Sequence, residues 1–163
     1  MKKYDDKYMS MARIWAQNSH AVRAKVGALV VKDNTIISDG YNGTPAGFDN
    51  RCETVKCGRY ADTTECELFL HGGGQACDDC PHMRLESKQT VIHAECNAIT
   101  KLARGTQSSV GSTLYVTLSP CIECAKMIIQ CGIKRVVYGE KYRIDDGLRL
   151  LKDAGIEVEQ FNG

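Results

Sequence analysis

No run of about 18 apolar residues occurs anywhere in the chain, so it holds no segment able to cross a bilayer as a helix. The opening stretch MKKYDDKYMSMARIWAQ is too polar to form the apolar centre of a secretory leader. These two absences lead us to expect a soluble, cytoplasmic protein with no membrane partner. Charge of one sign is missing as well. Lys and Arg number 21 against 20 Asp and Glu, and a net charge of +1 supplies no global field for gripping a polyanion, which disfavours a nucleic-acid polymer as ligand. There is no internal repeat and no low-complexity tail. What remains is a globular balance, 43% hydrophobic and 25% charged. A length of 163 residues suffices for one ordinary domain enclosing its own core. Cysteine is the one residue in excess, with nine. In a reducing compartment, thiols clustered in C-x-x-C pairs are metal ligands more often than redox couples, so zinc is the leading expectation.

Apolar residues at Tyr8, Met11, Ala12, Trp15 and Ala16 recur at spacings of three and four, which predicts an amphipathic helix over Tyr8 to Ser19 with that stripe facing a sheet. Val26 to Val31 and Thr35 to Ser38 read as a β-hairpin turning at Lys32-Asp33-Asn34. From Gly40 to Gln89 there is no sustained periodicity, apart from a helical turn suggested at Thr64 to Leu70. Beyond it strands and helices alternate: a helix at Ala94 to Ala103, a strand at Thr113 to Leu118 and a helix at Ile122 to Gln130. A strand at Arg135 to Tyr138, a helix at Asp146 to Ala154 stopped by Gly155, and a last strand at Ile156 to Phe161 follow. This order predicts an α/β fold with helices on both faces of a mixed sheet.

Two motifs carry chemistry. His93-Ala94-Glu95 opens one predicted helix, and Pro120-Cys121-Ile122-Glu123-Cys124 opens the next after a strand. One imidazole and two thiolates leave the fourth tetrahedral position on zinc open, the mark of a catalytic rather than a structural site. Such a metal lowers the pKa of water from about 16 toward 7. Glu95, two residues from His93, is placed to move protons rather than to complete the shell. Deaminating an aminopyrimidine requires taking a proton from that water, protonating the ring nitrogen and later protonating the departing ammonia, and one carboxylate can do all three. Cys121 and Cys124 sit at a helix start, where unpaired N–H groups and the positive end of the dipole favour thiolate. The bland reading, a core histidine beside a structural cysteine pair, does not explain both motifs in this order.

H-x-E followed by P-C-x-x-C is the signature of zinc nucleobase deaminases, and the chain strongly resembles the deoxycytidylate deaminase family over nearly all its length apart from the middle insert. The resemblance is carried by Val26-Gly27-Ala28, GYNGTPAG at Gly40 to Gly47, HAECNAI at His93 to Ile99, LYVTLSPCIECAKMIIQCGI at Leu114 to Ile133, and EKY at Glu140 to Tyr142. It implies a cytidine-deaminase-like three-layer sandwich with a mixed five-stranded sheet, as a single CMP/dCMP-type deaminase domain over residues 1–163. It implies zinc-dependent hydrolysis of deoxycytidylate (dCMP) to deoxyuridylate (dUMP) and ammonia, feeding thymidylate synthesis. His93, Cys121 and Cys124 would hold the metal, Glu95 would be catalytic, and Asn42, Ala94, Ser119 and Tyr142 would bind substrate. It further implies a homohexamer activated by dCTP with Mg2+ and inhibited by dTTP, with the segment after Asn42 contributing to an effector site between subunits.

A nucleotide substrate needs cationic or hydroxyl donors for its phosphate. Arg23 and Lys25 ahead of the first strand, and Lys141, Tyr142 and Arg143 after the strand that follows the metal helix, are the candidates; Gly43 joins Arg23, Lys25 and Arg143 as a possible phosphate or effector contact, and solvated surface charge is an equal reading for any one of them. The insert at about 52–82 is rich in Cys and His. Its pairs Cys52 with Cys57 and Cys77 with Cys80 would close a second, structural zinc shell that pins the long loop, although His82 or His20 can replace a cysteine and Cys66 can be a buried spectator. Cys96 and Cys131, within helical apolar patterns, read as core packing. Two alternatives stand beside this reading. One is a deaminase of the same fold acting on another base, nucleoside or tRNA adenosine, against which the near-neutral charge and GYNG argue. The other is a non-catalytic zinc module binding nucleotides, in which Glu95 would have no purpose.

Overall fold

The computed structural model of the chain describes residues 2–57 and 83–163. Among them run α1 (Asp5–Ala16), β1 (Gly27–Lys32), β2 (Thr35–Tyr41), β3 (Glu53–Cys57), β4 (Met83–Ser87), α2 (Ala94–Leu102), β5 (Thr113–Leu118), α3 (Ile122–Gln130), β6 (Arg135–Glu140), α4 (Asp146–Asp153) and β7 (Glu157–Gln160). Five strands form one sheet in the order β2-β1-β5-β6-β7. β1 runs antiparallel to both β2 and β5, while β5, β6 and β7 are parallel. The sheet is therefore mixed, as expected. The β1–β2 hairpin closes at Asp33 and Asn34, whose φ angles of 49° and 59° are the left-handed pair that a two-residue turn needs to match strand twist.

Alternation along the strands sorts the core into two layers. Leu29, Val31, Tyr115 and Val137 face α1, whose Met9 and Ala12 meet them together with Phe161, the residue after β7. Ala28, Val30, Leu114, Val116, Val136 and Tyr138 point the other way, to α2, α3 and α4. Helices thus cover both faces and the architecture is a three-layer sandwich. The parallel strands β5 and β6 feed into the segments before α3 and α4, so their carboxyl ends form the crevice where open α/β sheets bind ligands.

Two expectations are corrected here. The first helix begins at Asp5 and ends at Ala16, three residues earlier than its apolar pattern suggests. Asp5 and Asp6 occupy its first turn, where carboxylates suit the positive helix end, and Gln17, Asn18 and Ser19 continue only as i→i−3 turns. Its buried stripe is Asp5, Met9, Ala12 and Ala16. Met11 and Trp15 lie outward, 45% and 37% exposed, and the Trp15 indole N–H donates to Asp39 at 2.8 Å. The second correction is β3 and β4, an antiparallel ribbon from Glu53 opposite Ser87 to Cys57 opposite Met83, inside the stretch read as loop. Apolar residues do alternate in these strands, Val55 with Cys57 and Met83 with Leu85, but each run is only five residues long and its partner lies about thirty residues away, so the sequence shows no sustained periodicity. The helical turn expected at Thr64 to Leu70 lies outside the described residues.

Candidate active site

His93 and Cys121 are the N-cap residues of α2 and α3, with extended backbone at φ −70° and −73°. Their carbonyls accept the first helical hydrogen bonds, from Asn97 at 2.9 Å and Ala125 at 2.9 Å. Pro120 therefore lies just before the cap, rather than inside the first turn. Both helix starts are seated by glycines. A Cβ on Gly40 of β2 would come within 2.2 Å of the Ala94 carbonyl and 2.6 Å of the Ala98 N, and one on Gly147 of α4 within 2.1 Å of the Pro120 carbonyl. No side chain fits at either place without moving the residues that carry the site.

The two helix starts bring three donor groups together. His93 Nδ1 is 3.5 Å from Cys121 Sγ and 3.4 Å from Cys124 Sγ, and one ligand atom from each of the three lies within 4.8 Å of the others. Zn–N near 2.0 Å and Zn–S near 2.3 Å in a tetrahedron give an N-to-S edge of about 3.5 Å, so these donors fit zinc. Their electrostatics fit as well. The Cys121 thiol is brought down to about 3, chiefly by the hydrogen bond from Cys124, with another from His93, against burial. His93 rises to about 9 because of the Cys121 sulfur beside it, again against burial. Cys124, hydrogen-bonded to the Cys121 and Cys96 sulfurs and buried, is pushed up in the metal-free protein. A divalent cation takes the place of the protons shared among these groups. Glu95 on the first turn of α2 is 4% exposed. Burial pushes its carboxyl up, with partial offsets from its own N–H, His93 and Cys124.

His93, Glu95 and Cys121 open onto a cleft of about 240 Å³ that Asn42, Ala94, Ser119, Tyr142 and Arg23 also line. Asn42 fastens one wall. Its Oδ1 accepts the Val26 N–H at 2.8 Å and its Nδ2 donates to the Ala24 carbonyl at 2.9 Å, which leaves the amide one further hydrogen and one further lone pair. Ser119, 4% exposed, accepts the Tyr142 N–H at 2.7 Å and keeps its own hydroxyl proton to donate. Lys25, Gly43 and Arg143 do not line the cleft. Gly43 exchanges two backbone hydrogen bonds with Ile92, at 3.1 and 2.8 Å, and Arg143 lies over the Tyr142 ring, 5.7 Å from its centroid. Lys141 is tied to Asp145 at 2.7 Å.

Sequence reasoning missed Ser87 and Lys88, which line the same cleft. Arg23 Nη1 donates to Ser87 Oγ at 3.2 Å, the N–H groups of Val22 and Arg23 reach Glu53 Oε1 at 3.0 and 3.1 Å, and the Lys88 N–H reaches the Cys52 carbonyl at 2.9 Å. The base of the ribbon thus sets two cations, Arg23 and Lys88, on the cleft wall. Only the pairing of distant strands brings Lys88 there, so no local pattern announces it. Of the second-zinc group, Cys52 is buried with its thiol pushed up by that burial, and Cys57 closes β3. Cys77 and Cys80, with Cys66, His71 and His82, lie outside the described residues.

The comparisons with known proteins agree with this geometry. The family description "Cytidine and deoxycytidylate deaminase zinc-binding region" matches residues 2–140. A protein of Enterobacteria phage T4 named deoxycytidylate deaminase is 38% identical over 92% of this chain and 86% of its own length. One of Saccharomyces cerevisiae with the same name is 32% identical over 98% of this chain, which spans 45% of that protein. Among solved structures, the dCMP deaminase of cyanophage S-TIM5 in complex with dCMP and dUMP superposes with a TM-score of 0.77 at 37% identity, covering 99% of both chains. With the matched region taking in both zinc-ligand motifs and most of the sheet, the chain belongs to the cytidine and deoxycytidylate deaminase family.

Proposed function

We propose that the chain hydrolyses dCMP to dUMP and ammonia, with zinc held by His93, Cys121 and Cys124 and with Glu95 as proton carrier. The observation that carries this is the convergence of three donor atoms within 4.8 Å beside a buried carboxyl, in a cleft that also holds Arg23 and Lys88. Relatives that bear the name deoxycytidylate deaminase support the substrate, as does the neighbour solved with dCMP and dUMP. Zinc held there supplies a Lewis acid that makes water a nucleophile at neutral pH. Glu95 takes one proton from the attacking water and delivers it to the ring N3. It then passes the second proton to the exocyclic nitrogen as the C4–N bond breaks. Oxygen ends on C4, a proton on N3, and ammonia leaves. Asn42, the Ala94 backbone, Ser119 and Tyr142 hold the nucleotide in this reading.

Arg23 and Lys88 supply the phosphate contacts, and Lys25, Gly43 and Arg143 are left to an effector. A charge-assisted contact of this kind contributes about 1.5–3 kcal/mol. Replacing Lys88 by Ala is therefore expected to raise KM for dCMP by about 10-fold to 100-fold with kcat little changed. Turnover of deoxycytidine, which has no phosphate, should not move; an equal loss on both substrates removes Lys88 from this role.

Family membership also supports the finer reading: a cytoplasmic homohexamer feeding thymidylate synthesis, activated by dCTP with Mg2+ and inhibited by dTTP. A second, structural zinc at Cys52, Cys57, Cys77 and Cys80 completes it. The deciding experiment measures ammonia release from dCMP, deoxycytidine, cytosine and guanine, each with and without the two triphosphates. Preference for dCMP is the expected result, with turnover at low substrate raised by dCTP and lowered by dTTP. A preference for any other substrate overturns the proposed function, and indifference to both triphosphates overturns the regulation alone.

A further inference from the structure

Cys96 has no part in the proposed chemistry, yet it stands against the metal donors. It lies on the first turn of α2, half-buried, with its Sγ 3.7 Å from Cys124 Sγ and 3.6 Å from Met127 Sδ. The sulfur of a candidate zinc ligand therefore has a second cysteine sulfur as its neighbour across the α2–α3 contact. Bringing these two sulfurs to a bonding distance of about 2.05 Å requires closure of less than about 2 Å, within reach of side-chain rotation at a helix start. Cys124 is fully buried, whereas Cys96 is partly open to solvent, so an oxidant meets Cys96 first.

We propose that Cys96 and Cys124 form a thiol-based oxidation site that disassembles the metal centre reversibly. A hydroperoxide transfers oxygen to the Cys96 thiol, giving the sulfenic acid, and is itself reduced to water or alcohol. The Cys124 thiolate then attacks the Cys96 sulfur. The S–S bond forms, the S–O bond breaks, and the oxygen leaves as water with one added proton. The two electrons lost by the pair of sulfurs are those gained by the peroxide. Cys124 ceases to be a donor, and the two remaining ligands, His93 and Cys121, no longer retain zinc. A dithiol reverses the step by exchange and returns the donor set. This inference rests on the reading of Cys124 as a metal ligand.

The test treats zinc-loaded full-length protein with hydrogen peroxide. Disulfides are mapped by mass spectrometry after alkylation, and released zinc is followed with a chromophoric chelator. The expected result is a Cys96–Cys124 linked peptide that appears in step with one equivalent of zinc, with zinc content and turnover both restored by dithiothreitol plus zinc. Cys96→Ser is expected to retain native turnover before oxidation, to form no such linkage, and to lack that thiol-reversible equivalent. Comparing the two proteins cancels metal released from any other cysteines. A Cys121–Cys124 linkage in place of the expected one, or equal zinc release from both proteins, overturns the proposal. Failure of the underlying ligand assignment shows separately, as a Cys124→Ala protein that holds as much zinc as the wild type before any oxidant is added.

Discussion

Replacement of Glu95 by Gln is expected to lower kcat for dCMP by about 1,000-fold or more while zinc content stays at the wild-type value. One carboxyl is asked to carry a proton from water to the ring and another to ammonia, and a general acid–base group of this kind contributes about 10²–10⁴-fold. Gln keeps the shape and volume of the side chain, so a position that is 4% exposed is neither emptied nor overfilled. It also replaces a buried group whose charged form is penalised by its surroundings with one that is neutral at every pH. Thermal stability is therefore expected to be equal or higher, and KM to change far less than kcat. Assay of ammonia release, metal analysis and a melting curve on the same preparation check the three parts. Turnover at the native rate removes Glu95 from the chemistry. Loss of zinc instead makes the carboxyl part of the metal's own support.

Both zinc motifs were legible because their spacing is local. His93 and Glu95 share one helix turn, and Cys121 and Cys124 share another. The helix starts that bear them follow from the capping position and from periodicity in α2 and α3. The sheet was legible for the same reason, since β1, β5 and β6 are short apolar runs bounded by turn residues. What the chain did not announce lies where distant segments meet. Arg23 meets Ser87 across 64 residues, and Lys88 takes its place because its backbone is fastened to Cys52. The offset stripe of α1 has a similar origin. Met11 and Trp15 look like core by hydrophobicity, but the surface that α1 covers includes a buried charge, and the face that holds its partner, Asp5, is the one turned inward. Hydrophobic spacing alone cannot choose that face.

That buried charge yields the second large expected effect. Asp5 and Arg135 are 1% and 2% exposed and 130 residues apart. Arg135 Nη1 and Nη2 donate to the two Asp5 oxygens at 2.9 and 2.7 Å, and the Tyr115 hydroxyl donates to Asp5 at 2.7 Å. Removing one member of such a pair strands the other, at a cost of about 3–5 kcal/mol. Arg135 keeps Glu159 at 2.6 Å, so Asp5→Asn is expected near the lower bound, about 3 kcal/mol. For a chain of this length that lowers Tm by about 6–12 °C. By contrast Glu123→Gln, which breaks the exposed bridge from Lys126 at 2.6 Å, should stay within about 0.5 kcal/mol. Burial alone raises the Asp5 carboxyl, but hydrogen bonds from Arg135, Tyr115 and the Lys2 N–H outweigh it and hold the group well below the usual carboxylate range. A depressed folded-state pKa means that the stabilisation is fully present above the unfolded value, about 3.9, and is lost as pH falls below it. The difference between wild type and Asp5→Asn is therefore constant near neutrality and narrows below about pH 4. The cluster lies on the α1 face of the sheet, whereas the metal donors ride on the helices of the opposite face. Native kcat at 25 °C is thus expected for Asp5→Asn despite its lowered Tm, the reverse of the Glu95→Gln pattern. A variant that melts with the wild type shows that Arg135 draws its compensation from Glu159 and from Glu157, whose Oε1 lies 3.4 Å from Arg135 Nε.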